Sequence, residues 1–231
     1  MAIHSPSVRF HRATELSWLL LFSSPQTAAI QRLVAVLDQD PPPGLLELTP
    51  SYAGLLVEFN RPDLAEAIQQ HLSFCIEQLG DIQLPSSPVF EIPVFYGGEF
   101  GPDLGFAADF LRMSVSEIVE AHTNQVFTVA FYGFRPGFAY LEGWPSRLAL
   151  PRLESPRSQV PAGSVALAGQ QCGIYPSPSP GGWRIIGRTP FAVFDPQAQS
   201  FSPFPLGSKI RFYPSRPEAW ASNPEKAQRP R

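Results

Sequence analysis

An apolar run from Leu16 to Phe22 opens the patterned part of the chain and reads as a buried strand; the seven residues at the start carry no pattern and read as a lead-in. Ser24 followed by Pro25 marks a helix start, with Ser as N-cap and Pro at the first helical position. Ile30, Leu33, Val34 and Leu37 recur at helical spacing until the Pro41–Pro43 breaker. Leu45 to Leu48 and Tyr52 to Phe59 read as strands around a Thr49-Pro50-Ser51 turn. Asn60-Arg61-Pro62-Asp63 opens a second helix, with Asp63 placed to return a capping interaction. Its apolar stripe of Leu64, Ile68, Leu72, Cys75, Ile76 and Leu79 ends at Gly80. This β-α-β-β-α order needs one more strand to complete a ferredoxin-like split βαβ unit; that strand lies around Ile82 to Leu84 or is missing.

Pro85-Ser86-Ser87-Pro88 reads as a hinge to a second unit. Val89 to Tyr96 is a strand whose Pro93 points to an edge or a bulge. Gly97-Gly98-Glu99 turns the chain, and Pro102-Asp103 starts a helix carrying Leu104, Ala107, Phe110 and Leu111. Ser114 and Glu117 form a capping-box pair flanked by a Met113/Ile118 staple, and the spacing turns His122 inward near the end of that helix. Val126 to Tyr132 is a strand. Short β-like runs follow at Ser164 to Ala168, Trp183 to Ile186, Phe191 to Phe194 and Lys209 to Tyr213, the last within a closing hairpin. Many short strands separated by Gly and Pro predict a small barrel. The expected organisation is α+β: an α/β unit over 1–85, a β-barrel over 86–214 and a disordered tail over 215–231.

Composition changes this picture in two ways. Hydrophobic content of 44% is ample for a core, and the pI near 5.8 without a basic tract argues against nucleic acid as the partner. No run approaches the ~18 apolar residues of a membrane span. Two distant cysteines, Cys75 and Cys172, point to reduced thiols and a cytoplasmic protein rather than a disulfide framework.

Charge is distributed unevenly. Gly133 to Thr189 holds six Arg and no Lys against Glu142 and Glu154, a net +4 in a chain whose total is −3. The same stretch holds nine of the 17 Gly. Gly lets backbone approach a ligand closely, and Arg supplies forked donors for a carboxylate or phosphate. The candidate anion-binding residues are Arg152, Arg157, Ser164, Gln171, Tyr175, Gly181, Gly182 and Arg188. The alternative is that these Arg pair with the protein's own acids. His122 is a candidate base, with Arg157 and Arg188 as further catalytic candidates; the bland reading of His122 is a packed core histidine. There is no dinucleotide fingerprint, phosphate loop or nucleophile elbow, and His4, His11, His71 and His122 stand apart without metal-site spacing.

The motifs "GGEFGPDL", "GFRPGFAYLEGWP", "VPAGSVALAG", "GIYP", "SPGGW" and "IIGRTP" together resemble the family of 5-oxoprolinase B subunits, also known as KipI or allophanate hydrolase subunit 1. The resemblance spans about 89–214. It implies a ferredoxin-like domain followed by a cyclophilin-like β-barrel of the carboxyltransferase type. It also implies a C-type partner in direct contact, a further A-type partner, and ATP-dependent opening of 5-oxo-L-proline to L-glutamate. ATP would be a co-substrate of the complex, with no metal or prosthetic group in this chain and little activity from it alone. Other roles within the resemblance are inhibition of a sensor histidine kinase and a part in allophanate or urea metabolism. Cys172 stands where the family pattern usually has Thr, which argues against an essential thiol.

Overall fold

The computed structural model describes residues 7–81, 87, 89–197 and 202–218, and the chain divides into two compact units, Met1–Ser86 and Ser87–Arg231. In the first, β1 (Val8–Thr14) and β2 (Ser17–Phe22) form a hairpin, followed by α1 (Thr27–Gln39), β3 (Leu45–Pro50), β4 (Gly54–Phe59) and α2 (Ala65–Gln78). The antiparallel sheet runs β1-β2-β4-β3. The split βαβ arrangement is therefore present with one part supplied differently. The outer position beside β2, which a strand after α2 would fill, is held by β1. Ile82 to Leu84, where the sequence offered a closing strand, lie outside the described residues, as do Pro85, Ser86 and Pro88 of the expected hinge. In β1 only Val8 and Phe10 are half-buried and the rest is exposed, an outer-strand pattern too weak to register as apolar periodicity.

The helical stripes are buried as the spacing requires: Ile30, Leu33 and Leu37 on α1 and Ile68, Leu72 and Cys75 on α2. The helix starts differ from expectation. Helix α1 begins two residues after Pro25, with Gln26 at its N-cap and no side-chain cap. A 3-10 turn, Pro62–Leu64, precedes α2, and Asp63 receives Arg61 in an exposed ion pair at 2.5 Å instead of capping the helix. Pro50 falls inside β3 rather than in a turn, which an outer strand tolerates.

In the second unit, β5 (Val89–Tyr96) leads to α3 (Leu104–Leu111) and α4 (Val115–Thr123), and then β6 (Val126–Tyr132) and β7 (Ala139–Glu142). The remaining strands are β8 (Arg157–Val160), β9 (Ser164–Ala168), β10 (Gln171–Ile174), β11 (Ser179–Gly181), β12 (Arg184–Arg188) and β13 (Lys209–Pro214). Seven of these close into a barrel in the order β10-β7-β6-β13-β5-β12-β9, while β8 and β11 pair separately. The Ser114–Glu117 capping box forms in full at the start of α4.

Strand alternation separates two cores. On β9 and β10, Val165, Leu167, Cys172 and Ile174 join the barrel core, against which α3 and α4 also pack through Leu104, Ala107 and Ile118. The intervening Ala166 and Ala168 point the other way, into a second cluster with Phe138, Tyr175, Trp183 and Ile185. Because both faces are covered, "SVALA" is apolar throughout rather than alternating. This second, outer core carries the site described below.

Three expectations for this unit are corrected. Pro93 is not on a sheet edge, since β5 is enclosed in the barrel. It pairs in parallel with β13 along its length, but β12 reaches only Phe95 and Tyr96, so at Pro93 the ladder exists on one side and the missing N–H is tolerated. Phe191 to Phe194 is not a strand; Phe191 and Val193 are buried from a loop. Strand β13 does not close a hairpin but slots between β5 and β6. In the expected tail, the Ser215 N–H donates to the Val94 carbonyl at 2.9 Å, and residues from 219 onward lie outside the described set.

Candidate active site: an aromatic cleft with one arginine

The outer core opens into a cleft of about 180 Å³. Its apolar walls are Phe134, Phe138, Tyr140, Tyr175 and Trp183, and its polar contributors are Arg152 and the backbone of Gly181 and Gly182. The rings meet edge to face: Phe138 stands at 86° to Trp183 with centroids 5.5 Å apart, and at 81° to Tyr175 at 5.3 Å. Such pairs add about 0.5–1.5 kcal/mol each beyond their buried area, so the floor is preorganised. Two glycines permit the arrangement. A Cβ on Gly173 would lie 2.8 Å from the Phe138 ring, and one on Gly181 would overlap the Tyr175 hydroxyl. Both are close-approach positions, where the absence of a side chain lets a ring lie against backbone.

Arg152 is exposed and its guanidinium lies 5.9 Å from the centre of the Trp183 ring. Among the described residues it forms no ion pair. Burial raises the Tyr175 hydroxyl pKa, with the Trp183 backbone N–H, Arg152 and Arg157 opposing that shift. The hydroxyl therefore stays protonated at neutral pH, able to donate or accept. A neutral hydroxyl, an unpaired guanidinium and apolar rings suit a small ligand with one anionic end and an apolar body.

The other expected arginines do not line the cleft. Arg157 Nη2 donates to Asp103 Oδ1 at 2.8 Å, and Asp103 Oδ2 accepts from the Ile185 backbone N–H at 2.7 Å. Arg157 Nη1 is buried with no partner. Arg188 lies opposite Ser164 and Phe95 in the barrel register, 5.9 Å from the Phe100 ring, with its Nε buried and unpartnered. Arg157 thus braces the Gly97–Leu104 loop through Asp103, while Arg188 lies near Phe100 of the same loop. Arg184 stacks on Phe106 at 3.6 Å and donates to the Pro151 carbonyl.

Of the residues singled out from sequence, the cleft gathers Arg152, Tyr175, Gly181 and Gly182. Ser164 is buried in the barrel wall, its carbonyl accepting from the Tyr175 N–H. Gln171 sits at the far end of β10 from Tyr175, in register with Glu142 and Ala168. His122 is fully buried in the barrel core, stacked on Phe212 at 4.6 Å. Its Nδ1 meets Tyr96 Oη at 2.7 Å and its Nε2 faces Cys172 Sγ at 3.5 Å. Burial alone pushes its pKa down to about 3, so the ring is neutral, with one nitrogen donating and the other accepting. This is the environment of a packed histidine, with side-chain partners in place of a backbone carbonyl. Burial also drives the Cys172 thiol and the Tyr96 hydroxyl well above their ordinary values.

Apart from Tyr175, the aromatic walls were not singled out from sequence. Phe134, Phe138 and Tyr140 stand four and two residues apart in "GFRPGFAY", and their spacing was the available signal. Among the described residues no three His, Cys, Asp or Glu are grouped to hold a metal ion, and no helix is long and apolar enough to cross a membrane.

The carboxyltransferase domain family, subdomains C and D, matches residues 8–204. The 5-oxoprolinase B subunit of Bacillus subtilis (strain 168) is 36% identical over 194 residues, covering 79% of this chain and 81% of that protein. The corresponding B subunit of Escherichia coli O157:H7 is 37% identical over 205 residues, covering 87% and 94%. The chain belongs to the family of 5-oxoprolinase B subunits. Among solved structures, TTHA0988 superposes with a TM-score of 0.72 at 35% identity over 87% of this chain. This chain spans only 39% of TTHA0988, whose polypeptide continues well beyond the shared part. The Kluyveromyces lactis urea amidolyase shares the fold, with a TM-score of 0.73 over 97% of this chain at 18% identity and 16% coverage of that protein.

Proposed function

We propose that this chain is the B-type component of a cytoplasmic, ATP-dependent 5-oxoprolinase, acting with partners of the C and A types to open 5-oxo-L-proline to L-glutamate. The observation that carries the reading is the relationship to proteins named as 5-oxoprolinase B subunits over 79–87% of the chain. The cleft supports it chemically, because Arg152 offers a guanidinium unengaged by any carboxylate among the described residues beside apolar walls.

In the reaction, the γ-phosphoryl group of ATP passes to the lactam oxygen, leaving ADP and an activated ring carbon. Water adds at that carbon and the ring C–N bond breaks, the nitrogen leaving as the amine. A second water hydrolyses the resulting acyl phosphate to phosphate and L-glutamate. This chain carries no phosphate loop, and the reading assigns nucleotide handling to another component of the complex. Its own part is to orient the substrate's anionic end, with Arg152, Tyr175 and the Gly181–Gly182 backbone at the cleft and Arg157 holding the adjoining loop in shape. The length of TTHA0988 supports a further component working beside this one, because the part that resembles this chain is only 39% of that polypeptide.

Co-expression with candidate A-type and C-type partners tests the reading. The assembled complex is expected to form L-glutamate and ADP only when 5-oxo-L-proline and ATP are both supplied, and this chain alone to form neither. An intact complex that stays silent beside a working reference complex overturns it.

A further inference from the structure

Phe134, in the loop between β6 and β7, has a backbone conformation that its packing does not repay. Its φ is +66°, in the left-handed region that bulky residues avoid. Among the described residues the other non-glycine with positive φ is Arg112, which ends α3, where a left-handed residue is ordinary. Phe134 ends no helix, and it is 56% exposed, so burial does not offset the strain. The loop nevertheless holds it. The Arg135 N–H donates to the Gly133 carbonyl at 2.7 Å, the Phe138 N–H to the Arg135 carbonyl at 2.9 Å, and the Gly133 N–H to the Phe138 carbonyl at 3.2 Å. Gly137, at φ +81°, presses on Phe194, where a Cβ would lie 2.5 Å from that residue's own Cβ. The strained conformation stands the Phe134 ring at the cleft, at 80° to Phe138 and 84° to Tyr175, with centroids 5.4 and 6.3 Å away.

A strained, exposed aromatic fixed at the rim of a cleft is arranged for a ligand. The volume limits which ligand. At about 180 Å³ the cleft is smaller than the ~300–1,000 Å³ of drug-sized sites, too small for a nucleotide and suited to a single small ring. Apolar walls accept the methylene groups of such a ring, and Arg152 accepts one carboxylate.

We propose that Phe134 is the specificity-determining wall of this cleft, gripping the ring of a cyclic amino acid whose carboxylate is held by Arg152. On the function proposed above, that compound is 5-oxo-L-proline. Ring opening creates a second carboxylate, for which the apolar walls supply no cation besides Arg152, and a charged nitrogen that must also leave water. The cleft therefore holds the substrate more tightly than L-glutamate, which favours product release.

The test is titration of the full chain with 5-oxo-L-proline and L-glutamate, followed by NMR shifts of the Trp183 indole. The expected result is saturable binding of 5-oxo-L-proline at least tenfold tighter than of L-glutamate. Phe134→Gly should weaken it tenfold or more without lowering Tm, because glycine accepts the left-handed backbone, and Phe134→Tyr should bind like the parent. Failure of the parent to bind 5-oxo-L-proline, or equal binding by Phe134→Gly, overturns the proposal. So does a fall in Tm for Phe134→Gly with affinity intact, which would make the residue structural. In the assembled complex, Phe134→Gly should raise KM at least tenfold with kcat nearly unchanged. An active complex with an unmoved KM removes the role of Phe134 and leaves the assigned reaction standing. A silent complex whose B-type component still binds the ring through Phe134 removes the reaction and leaves the cleft.

Discussion

Arg157 and Asp103, 54 residues apart in sequence, meet at 2.8 Å, and the second Asp103 oxygen holds the Ile185 backbone N–H at 2.7 Å. One carboxylate thus ties together the start of α3, strand β8 and strand β12. The Asp103 side chain is 8% exposed and that of Arg157 is 30%, so the pair is shielded on the acid's side and partly screened on the other.

The two partners are therefore unequal. Asp103→Ala leaves Arg157 and the Ile185 N–H without an acceptor and is expected to cost about 2–4 kcal/mol, near the lower part of the range for breaking a buried pair. Arg157→Ala leaves the carboxylate its backbone donor and should cost less than half as much. Urea denaturation of both variants and the double mutant checks this, and equal losses would show that the Ile185 contact contributes nothing.

His122 gives the stability a defined pH dependence. Its folded pKa is near 3 against about 6.5 in the unfolded chain, so below pH 6.5 the unfolded state binds a proton that the folded state refuses. The contribution is complete above pH 6.5 and is lost as pH falls toward 3, at about 1.4 kcal/mol per pH unit. His122→Phe has no such group, so its stability should fall less steeply than that of the parent between pH 6.5 and 4.5. Parallel slopes in urea titrations would rule this origin out.

The elements legible in the sequence are those whose signals are local. The Ser114–Glu117 box and the Ile68–Leu72–Cys75 stripe declare themselves within one or two helical turns, and "SVALA" declares a strand buried on both faces. Strand β1 was not legible, because its half-buried positions are only Val8 and Phe10. The cleft was half legible. An excess of arginine marked the stretch that lines the cleft, but charge alone does not tell Arg152, which faces the cleft, from Arg157, which faces Asp103. That distinction depends on an acid in the Gly97–Leu104 loop, and pairing at that separation is set by tertiary packing rather than by local pattern. His122 is similar: the helix spacing turned it inward, while its partners Tyr96 and Cys172 come from 26 and 50 residues away.

Both thiols should be inert in the folded protein. Cys75 is 5% exposed and Cys172 is fully buried, and burial raises the pKa of each, so neither presents a thiolate near neutral pH. Disulfide-exchange labelling of Cys172 is expected to proceed no faster than global unfolding, tracking the unfolding rate across urea concentrations. Rapid labelling in buffer would mean that the barrel opens locally around β10.

Adjacent glycines in the cleft should behave differently. A Cβ on Gly181 would overlap the Tyr175 hydroxyl, and Tyr175 is 2% exposed, wedged against Phe138 and unable to swing away without emptying the outer core. Gly181→Ala is therefore expected to cost about 1–3 kcal/mol, the usual penalty for overpacking, and to displace the hydroxyl from the cleft. A Cβ on Gly182 would meet Pro156 at 3.6 Å, an ordinary contact, so Gly182→Ala should lie within about 0.5 kcal/mol of the parent. Urea midpoints separate the two, and Tyr175→Phe supplies the control. With the hydroxyl gone the closest contact is removed while the ring carbons remain 2.9 Å from the added methyl, so Gly181→Ala in the Tyr175→Phe background should cost less than in the parent but still more than Gly182→Ala. If the cost is unchanged there, the penalty does not come from the tyrosine hydroxyl.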